Sequence, residues 1–243
     1  MTRWPAWATE PVAPHPPDDR WQPRGRRVLA DLWDQVTPVG EVMATLAQTV
    51  VDGKARTVGL SNVPAWYAIA ASMLADRHGW AAPVALQLEY SLLERTAEIE
   101  HVPAAQHCGM SLGAVVPLAN GSLTGKYPPT VDTRCGGAAH RRRPARCRRG
   151  LFRPAHSHRP RLGSTVRDAA TTLGCSPAQI ALAWALHQPA VATTLIGATS
   201  TEQLHANLDA AALALPADVL HTLDSTSQQR VSSPYRLFPP AAS

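Results

Sequence analysis

Residues 86–127 read "LQLEYSLLERTAEIEHVPAAQHCGMSLGAVVPLANGSLTGKY". The run "VALQLEY", which overlaps its start, is short and apolar and has the character of a strand. "TAEIEHVPAAQHCG" carries helical spacing, with Pro103 near its middle as an expected break or kink. "SLGAVVPLA" is a second strand, and it runs into a loop of small residues, "NGSLTGKY". Two strands separated by a helix imply a parallel βαβ unit, since parallel strands need a crossover between them.

The same alternation extends in both directions. Upstream, Val28 and Leu29 are strand material, with Leu32 and Trp33 as a candidate extension. "TPVGEVMATLAQTVVDGK" then predicts a helix. Thr37 is placed as N-cap and Pro38 at the first helical position. Val39, Val42, Met43, Leu46 and Val50 share one face, and Gly53 suits a left-handed C-terminal cap. "RTVGLS" is a strand and "VPAWYAIAASMLADRHG" a helix closed by Gly79. Downstream, "TVRDAATTLG" and "SPAQIALAWALHQ" are helices, the second opened by a capping box of Ser176 and Gln179 with Pro177 between them. "VATTLIGA" is a strand. "STEQLHANLDAA" is a helix with a second capping box, Ser200 and Gln203, and "PADVLHTLDSTSQQ" is the last helix. The predicted fold class is α/β with about five strand–helix units, covering 31–243 after an irregular segment at 1–30.

Composition bounds the partners. The chain has 243 residues, 45% of them apolar, enough for a substantial core. No apolar run reaches the roughly 18 residues of a membrane span, and the N-terminus lacks the apolar stretch of a signal peptide, so the expected location is cytoplasmic. The net charge of +5 is local in origin. Ten arginines and no acid lie between Arg134 and Arg161, which leaves 5 − 10 = −5 for the remainder. Residues 134–163 are therefore read as a basic, disordered insert. Nucleic acid is a disfavoured partner, because Phe152 is the segment's one aromatic residue and stacking needs more. Cys135, His140, Cys147, His156 and His158 fit no common metal-ligand spacing, so no metal site is assigned. Cys108, Cys135, Cys147 and Cys175 are read as free thiols.

In parallel α/β barrels, chemistry gathers in the loops after the C-terminal strand ends. Polar residues fall there in this chain: Ser61 and Asn62 after "TVGL", Gln87 and Tyr90 in "LQLEY", and Gly121, Gly125 and Lys126 in the small-residue loop. The "IGATSTEQ" junction joins a strand to a helix N-terminus, which is suited to an anion. Each feature alone has a plainer reading. Ser-Asn can be a turn, the tyrosine core packing, and the two loops ordinary connections.

Taken together, "DGKARTVGLSNVPAW", "LQLEYSLLER", "PLANGSLTGKY", "SPAQIALAWALHQPAV" and "TLIGATSTEQLHANL" resemble the C-terminal part of an aldo-keto reductase, in the branch of potassium-channel β-subunits. The resemblance implies an incomplete (β/α)8 TIM barrel and an NADP(H) cofactor, with NAD(H) as the lesser option. By position, Ser61, Asn62 and Gln87 would hold the nicotinamide carboxamide and Tyr90 would stack on its ring. Pro117, Leu118, Gly121, Leu123, Gly125 and Lys126 would line the pyrophosphate loop. Ile196, Gly197, Ala198, Gln203 and Asn207 would surround the adenosine.

Departures accompany the match. Val115 and Val116 stand where the family has Trp-Ser. Thr199 stands where it often has a cation for the 2′-phosphate. The family's catalytic Asp, Tyr, Lys and His are not found at their expected positions. No Tyr precedes Tyr67, no Lys precedes Lys54, and Asp31 aligns with the His. No catalytic residue is therefore assigned. The expectation is a truncated or rearranged, catalytically impaired carbonyl reductase acting on a small-molecule carbonyl. The alternatives are a non-catalytic nucleotide-binding or regulatory subunit, and nucleic-acid binding through the Arg-rich segment. A homo-oligomer is compatible with all three.

Overall fold

The computed structural model describes residues 27–126, 159–229, 231 and 233–237. Among them, five strands form one sheet: β1 (Arg27–Asp31), β2 (Thr57–Ser61), β3 (Pro83–Glu89), β4 (Ser111–Val115) and β5 (Val191–Thr194). They lie side by side in chain order, and every pairing is parallel. The helices are α1 (Val39–Val51), α2 (Ala65–His78), α3 (His101–His107), α4 (Arg159–Leu173), α5 (Pro177–His187), α6 (Thr201–Asp209) and α7 (Ala217–Ser227). This is the strand–helix alternation of an incomplete (β/α)8 barrel.

The core forms where the sheet meets these helices. Val58, Leu60, Leu86, Leu88, Leu112 and Ala114 project from β2, β3 and β4 into one cluster with Met43, Leu46, Ala68, Ala71 and Trp184. Alternate residues must then face the other side of the sheet. On β3 those are Gln87 and Glu89. Helix α1 buries Met43, Leu46 and Ala47, and Val39, Val42 and Val50 pack partly against the core, as the helical spacing required. Helix α5 buries Ile180 through Ala185 without interruption, the pattern of a helix enclosed on every side.

The local stop and start signals work largely as read. Gly53 and Gly79 take positive φ at the ends of α1 and α2, where a side chain would be strained. Ser176 accepts from the Gln179 N–H at 3.2 Å, and the Gln179 side chain accepts from the Ser176 N–H at 2.9 Å.

Several boundaries differ from the sequence reading. Val28 and Leu29 are strand, as read, but β1 runs from Arg27 to Asp31 and so overlaps the end of the segment 1–30 taken as irregular, because its backbone pairs residue by residue with β2 from Arg27↔Thr57 to Asp31↔Ser61. It also ends at Asp31: Leu32 turns to φ 67, so it and Trp33 do not extend the strand. Pro38, not Thr37, is the N-cap of α1. Thr37 is held back by Asp34, whose carboxylate accepts its N–H at 2.8 Å and its hydroxyl at 2.5 Å. Pro103 breaks nothing. The chain forms a short 3-10 turn at Thr96–Glu98, then starts α3 at His101, which puts Pro103 in the first turn, where its missing N–H costs no bond. Helix α4 reaches back to Arg159, so the last residues of the basic segment are helical rather than disordered. The rest of that segment, with its two cysteines and its histidines, lies outside the described residues. Cys108 and Cys175 are free thiols.

Candidate functional site

Because the five strands are parallel and adjacent, their C-terminal ends share one edge of the sheet. The residues at that edge are Asp31, Ser61 with Asn62, Glu89 with Tyr90, Val115 with Val116, and Thr194 with Leu195.

The tightest polar group forms at the ends of β1, β2 and β3. The register sets Ser61 opposite both Asp31 and Gln87. Asn62 leaves the strand with φ 53, a left-handed conformation that asparagine tolerates better than most residues. Its backbone N–H donates to the Gln87 carbonyl at 3.0 Å. Its side-chain Nδ2 donates to Asp31 Oδ1 at 3.0 Å and to Ser61 Oγ at 3.1 Å. Both amide hydrogens are thereby directed inward, and Asn62 Oδ1 is left as an acceptor without a donor among the described residues. Ser61 is 1% exposed, so this arrangement is sunk into the rim. His101 Nε2 stands 3.0 Å from the Val63 carbonyl and braces the turn that follows Asn62.

The loop after β4 is strongly bent. Val116, Ala119, Asn120, Gly121 and Gly125 all have positive φ. Pro117 and Leu123 are buried and anchor the loop, Leu118 and Gly121 are half-buried, and Gly125 and Lys126 are exposed. A Cβ on Gly125 would approach the Pro177 side chain to 3.1 Å. The loop is therefore seated directly against the N-terminus of α5, and only a residue without a side chain permits that approach.

At the far end of the edge, Leu195 N–H donates to the Ala114 carbonyl at 2.8 Å and carries the chain off β5 towards Ile196, Gly197 and Ala198. The Ser200–Gln203 box forms only half as read. Ser200 Oγ caps the Gln203 N–H at 3.3 Å, but Gln203 Oε1 reaches one residue further back, to Thr199 N and Oγ1, both at 3.0 Å. Asn207 Nδ2 approaches the Gly197 carbonyl at 3.5 Å. These contacts gather Ile196, Gly197, Ala198, Gln203 and Asn207 into one exposed turn. A Cβ on Gly197 would meet open space. Three inter-strand steps separate β2 from β5, about 14 Å across the sheet, a span suited to an extended dinucleotide.

Tyr90 does not join this rim. It is 2% exposed, its ring is stacked on Trp184 at 5.5 Å, and its hydroxyl donates to Glu98 at 2.6 Å. Burial, and then the Glu98 charge, push its phenol well above the ordinary range. No ring face is left for a nicotinamide in this arrangement. The sequence reading could not see this, because the covering residue lies 94 positions away in α5.

Glu89 was missed. It is the last residue of β3, half-buried, and its carboxyl takes no hydrogen bond or ion pair from any described residue. Burial, reinforced by the Glu94 charge, pushes its carboxyl up to about 7. The signal was available: in "LQLEY" it follows Gln87 by two and so shares its side of the strand.

The other candidate acids and bases lie elsewhere. Lys54 sits in the turn that enters β2, at the opposite edge, and pairs with Asp52 at 2.8 Å. Tyr67 is 4% exposed within α2. Asp31 alone occupies a strand end. Among the described residues no group of His, Cys, Asp and Glu could hold a metal ion, and no helix is long and apolar enough to cross a membrane.

Comparison with known proteins agrees with this geometry. The aldo/keto reductase family model matches residues 27–228. The chain belongs to the aldo/keto reductase family. Among its curated relatives, Protein tas of Escherichia coli K12 is 34% identical over 203 residues, 81% of this chain and 56% of that protein. A putative voltage-gated potassium channel subunit beta of Schizosaccharomyces pombe is 31% identical over 75% of this chain and 53% of its own length. Mouse aflatoxin B1 aldehyde reductase member 2 is 31% identical over 73% of this chain and 51% of its own. The chain spans about half the length of the curated relatives it matches. Aldo/keto reductases generally use nicotinamide cofactors. The free acceptor of Asn62 beside buried Ser61, the exposed Lys126 and the open space over Gly197 fit such a group.

Proposed function

We propose that this aldo/keto reductase-family chain is an oxidoreductase that binds NADP(H) along the C-terminal edge of its sheet, acts in the cytoplasm and reduces a small-molecule carbonyl slowly. The observation that carries the proposal is the Asp31–Asn62–Ser61 hydrogen-bonded group facing Gln87 across the β2–β3 register. Ser61, Asn62 and Gln87 hold the carboxamide of the nicotinamide, with Asn62 Oδ1 as the acceptor for its amide. The bent loop over 117–126, through its backbone and Lys126, takes the pyrophosphate. Gly197, Ala198, Gln203 and Asn207 take the adenosine. When bound, the cofactor supplies a hydride for a carbonyl carbon. Thr199 offers no cation to a 2′-phosphate, so the preference for NADPH over NADH is weak.

Turnover is slow in this proposal because Asp31 stands where the resemblance places the family's catalytic His. General acid catalysis of this kind contributes about 10²–10⁴-fold. That same replacement favours a second reading, a nucleotide-sensing regulatory subunit. NADPH fluorescence titration, followed by NADPH consumption with an aromatic aldehyde, separates the two. Binding with slow consumption supports reduction, binding with none supports sensing, and no binding refutes both. Asn62→Ala is expected to weaken NADPH binding about tenfold, the loss of roughly one charge-free hydrogen bond.

A further inference from the structure

We infer that Glu89 is the proton donor to the substrate carbonyl oxygen, a role that rests on the carbonyl-reductase reading above. Three observations place it there. Glu89 is the terminal residue of β3, at the edge where all the strands end. It lies two residues beyond Gln87 on the same strand, so its side chain faces the same side about 7 Å further towards the rim. The register also sets it opposite Val115 of β4, a small apolar neighbour that offers the carboxyl no donor, and no other described residue supplies one.

The surrounding charges favour the acid form. Strand β2 ends in Ser61 and Asn62 and β4 in Val115 and Val116, none of them ionisable. Asp31, two strands away, is a further anion, and Arg95 is turned towards Glu98 and Asp224. The charge that bears on Glu89 is Glu94, itself held in place by Thr96, whose N–H donates to Glu94 Oε1 at 3.0 Å. With burial, it raises the Glu89 carboxyl to about 7. Half or so of the carboxyls then keep their proton at neutral pH, as a general acid must.

The step balances. The carbonyl carbon accepts a hydride from the reduced nicotinamide dinucleotide while the Glu89 O–H bond breaks and its proton passes to the carbonyl oxygen. The products are an alcohol, the oxidised dinucleotide and the Glu89 carboxylate, which water reprotonates.

The test uses the full chain and Glu89→Gln, with aldehyde reduction, NADPH binding and carboxyl titration as separate readouts. Glu89→Gln should cut kcat by about 100-fold or more while leaving NADPH affinity unchanged. Carbon-13 titration of labelled glutamates should show one carboxyl with a midpoint near neutrality, missing in Glu89→Gln. The wild-type kcat should fall as pH rises through that midpoint, and Glu94→Gln should move the fall to lower pH. Wild-type turnover that survives in Glu89→Gln, or a Glu89 carboxyl that titrates in the ordinary carboxylate range, overturns the assignment alone. A wild-type chain that binds NADPH yet reduces no aldehyde sinks the reductase reading and Glu89's role with it.

Discussion

The Tyr90 ring lies nearly parallel to the Trp184 indole, 19° from coplanar, with centroids 5.5 Å apart. The guanidinium of Arg95 sits 5.1 Å from the centre of a Trp184 ring. The indole Nε1 donates to Asp224 at 2.9 Å. One stack thus ties the end of β3, the middle of α5 and the end of α7 together beneath the rim. It makes Tyr90 part of the floor on which the candidate site rests.

Tyr90→Phe removes the hydroxyl that donates to Glu98 and keeps the stack. It should lower stability by about 1 kcal/mol and leave NADPH affinity unchanged, as thermal denaturation and fluorescence titration can show. Trp184→Ala opens the stack and should cost about 3–5 kcal/mol. A large loss of NADPH affinity in Tyr90→Phe would mean that the phenol reaches the ligand after all.

Arg95 is the hub of the same assembly. Its Nε donates to Glu98 at 2.7 Å, and its Nη1 donates to Ser227 Oγ at 2.7 Å and to Asp224 Oδ1 at 3.2 Å. Burial works against the guanidinium's charge, but Glu98, Tyr90 and Asp224 outweigh it and hold its pKa above the ordinary value. Arg95→Met should destabilise by about 1–3 kcal/mol, since it strands partners that are themselves part-exposed. Arg95→Lys should recover only part of that, because one ammonium cannot span the fork. Urea denaturation of the three proteins measures the series.

Two glycines should separate stability from binding. A Cβ on Gly59 would meet Leu29 Cδ2 at 2.6 Å and the Ala85 carbonyl at 2.8 Å, whereas one on Gly197 meets nothing. Gly59→Ala is expected to cost about 1–3 kcal/mol, because a backbone oxygen cannot step aside. Gly197→Ala should leave the melting temperature alone and weaken NADPH binding by intruding on the adenosine turn. If Gly197→Ala binds NADPH as wild type does, that turn is not part of the cofactor site.

Glu89 also predicts a pH dependence of stability. Its native carboxyl is raised to about 7 from an ordinary value of 4.5. Between those values the native state holds more protons than the unfolded chain, so the unfolding free energy must fall as pH rises through that window. Below it both states are protonated and above it both are ionised, so the slope vanishes on either side. Denaturant melts from pH 4 to 8 should show this decline in wild type and lose part of it in Glu89→Gln. An identical slope in the two proteins would mean that the carboxyl is not perturbed.

The sequence alone determined the order of the strands and helices, because their signals are local. Apolar periodicity, the Ser176–Gln179 box and the glycines after α1 and α2 each act within about four residues, the reach of a helical hydrogen bond. It also placed Ser61 and Asn62 at the end of β2 and the glycine-containing loop after β4, because strand ends can be read as the places where apolar runs stop. Tertiary structure decided what those residues face. The register places Asp31 and Gln87 on either side of Ser61. Trp184 closes over Tyr90 from far along the chain and removes it from the rim. The spacing of Glu89 from Gln87 is legible in the sequence, but that no described residue pairs with its carboxyl is not. Burial and missing partners depend on contacts between distant segments, and a carboxyl's proton affinity follows from both.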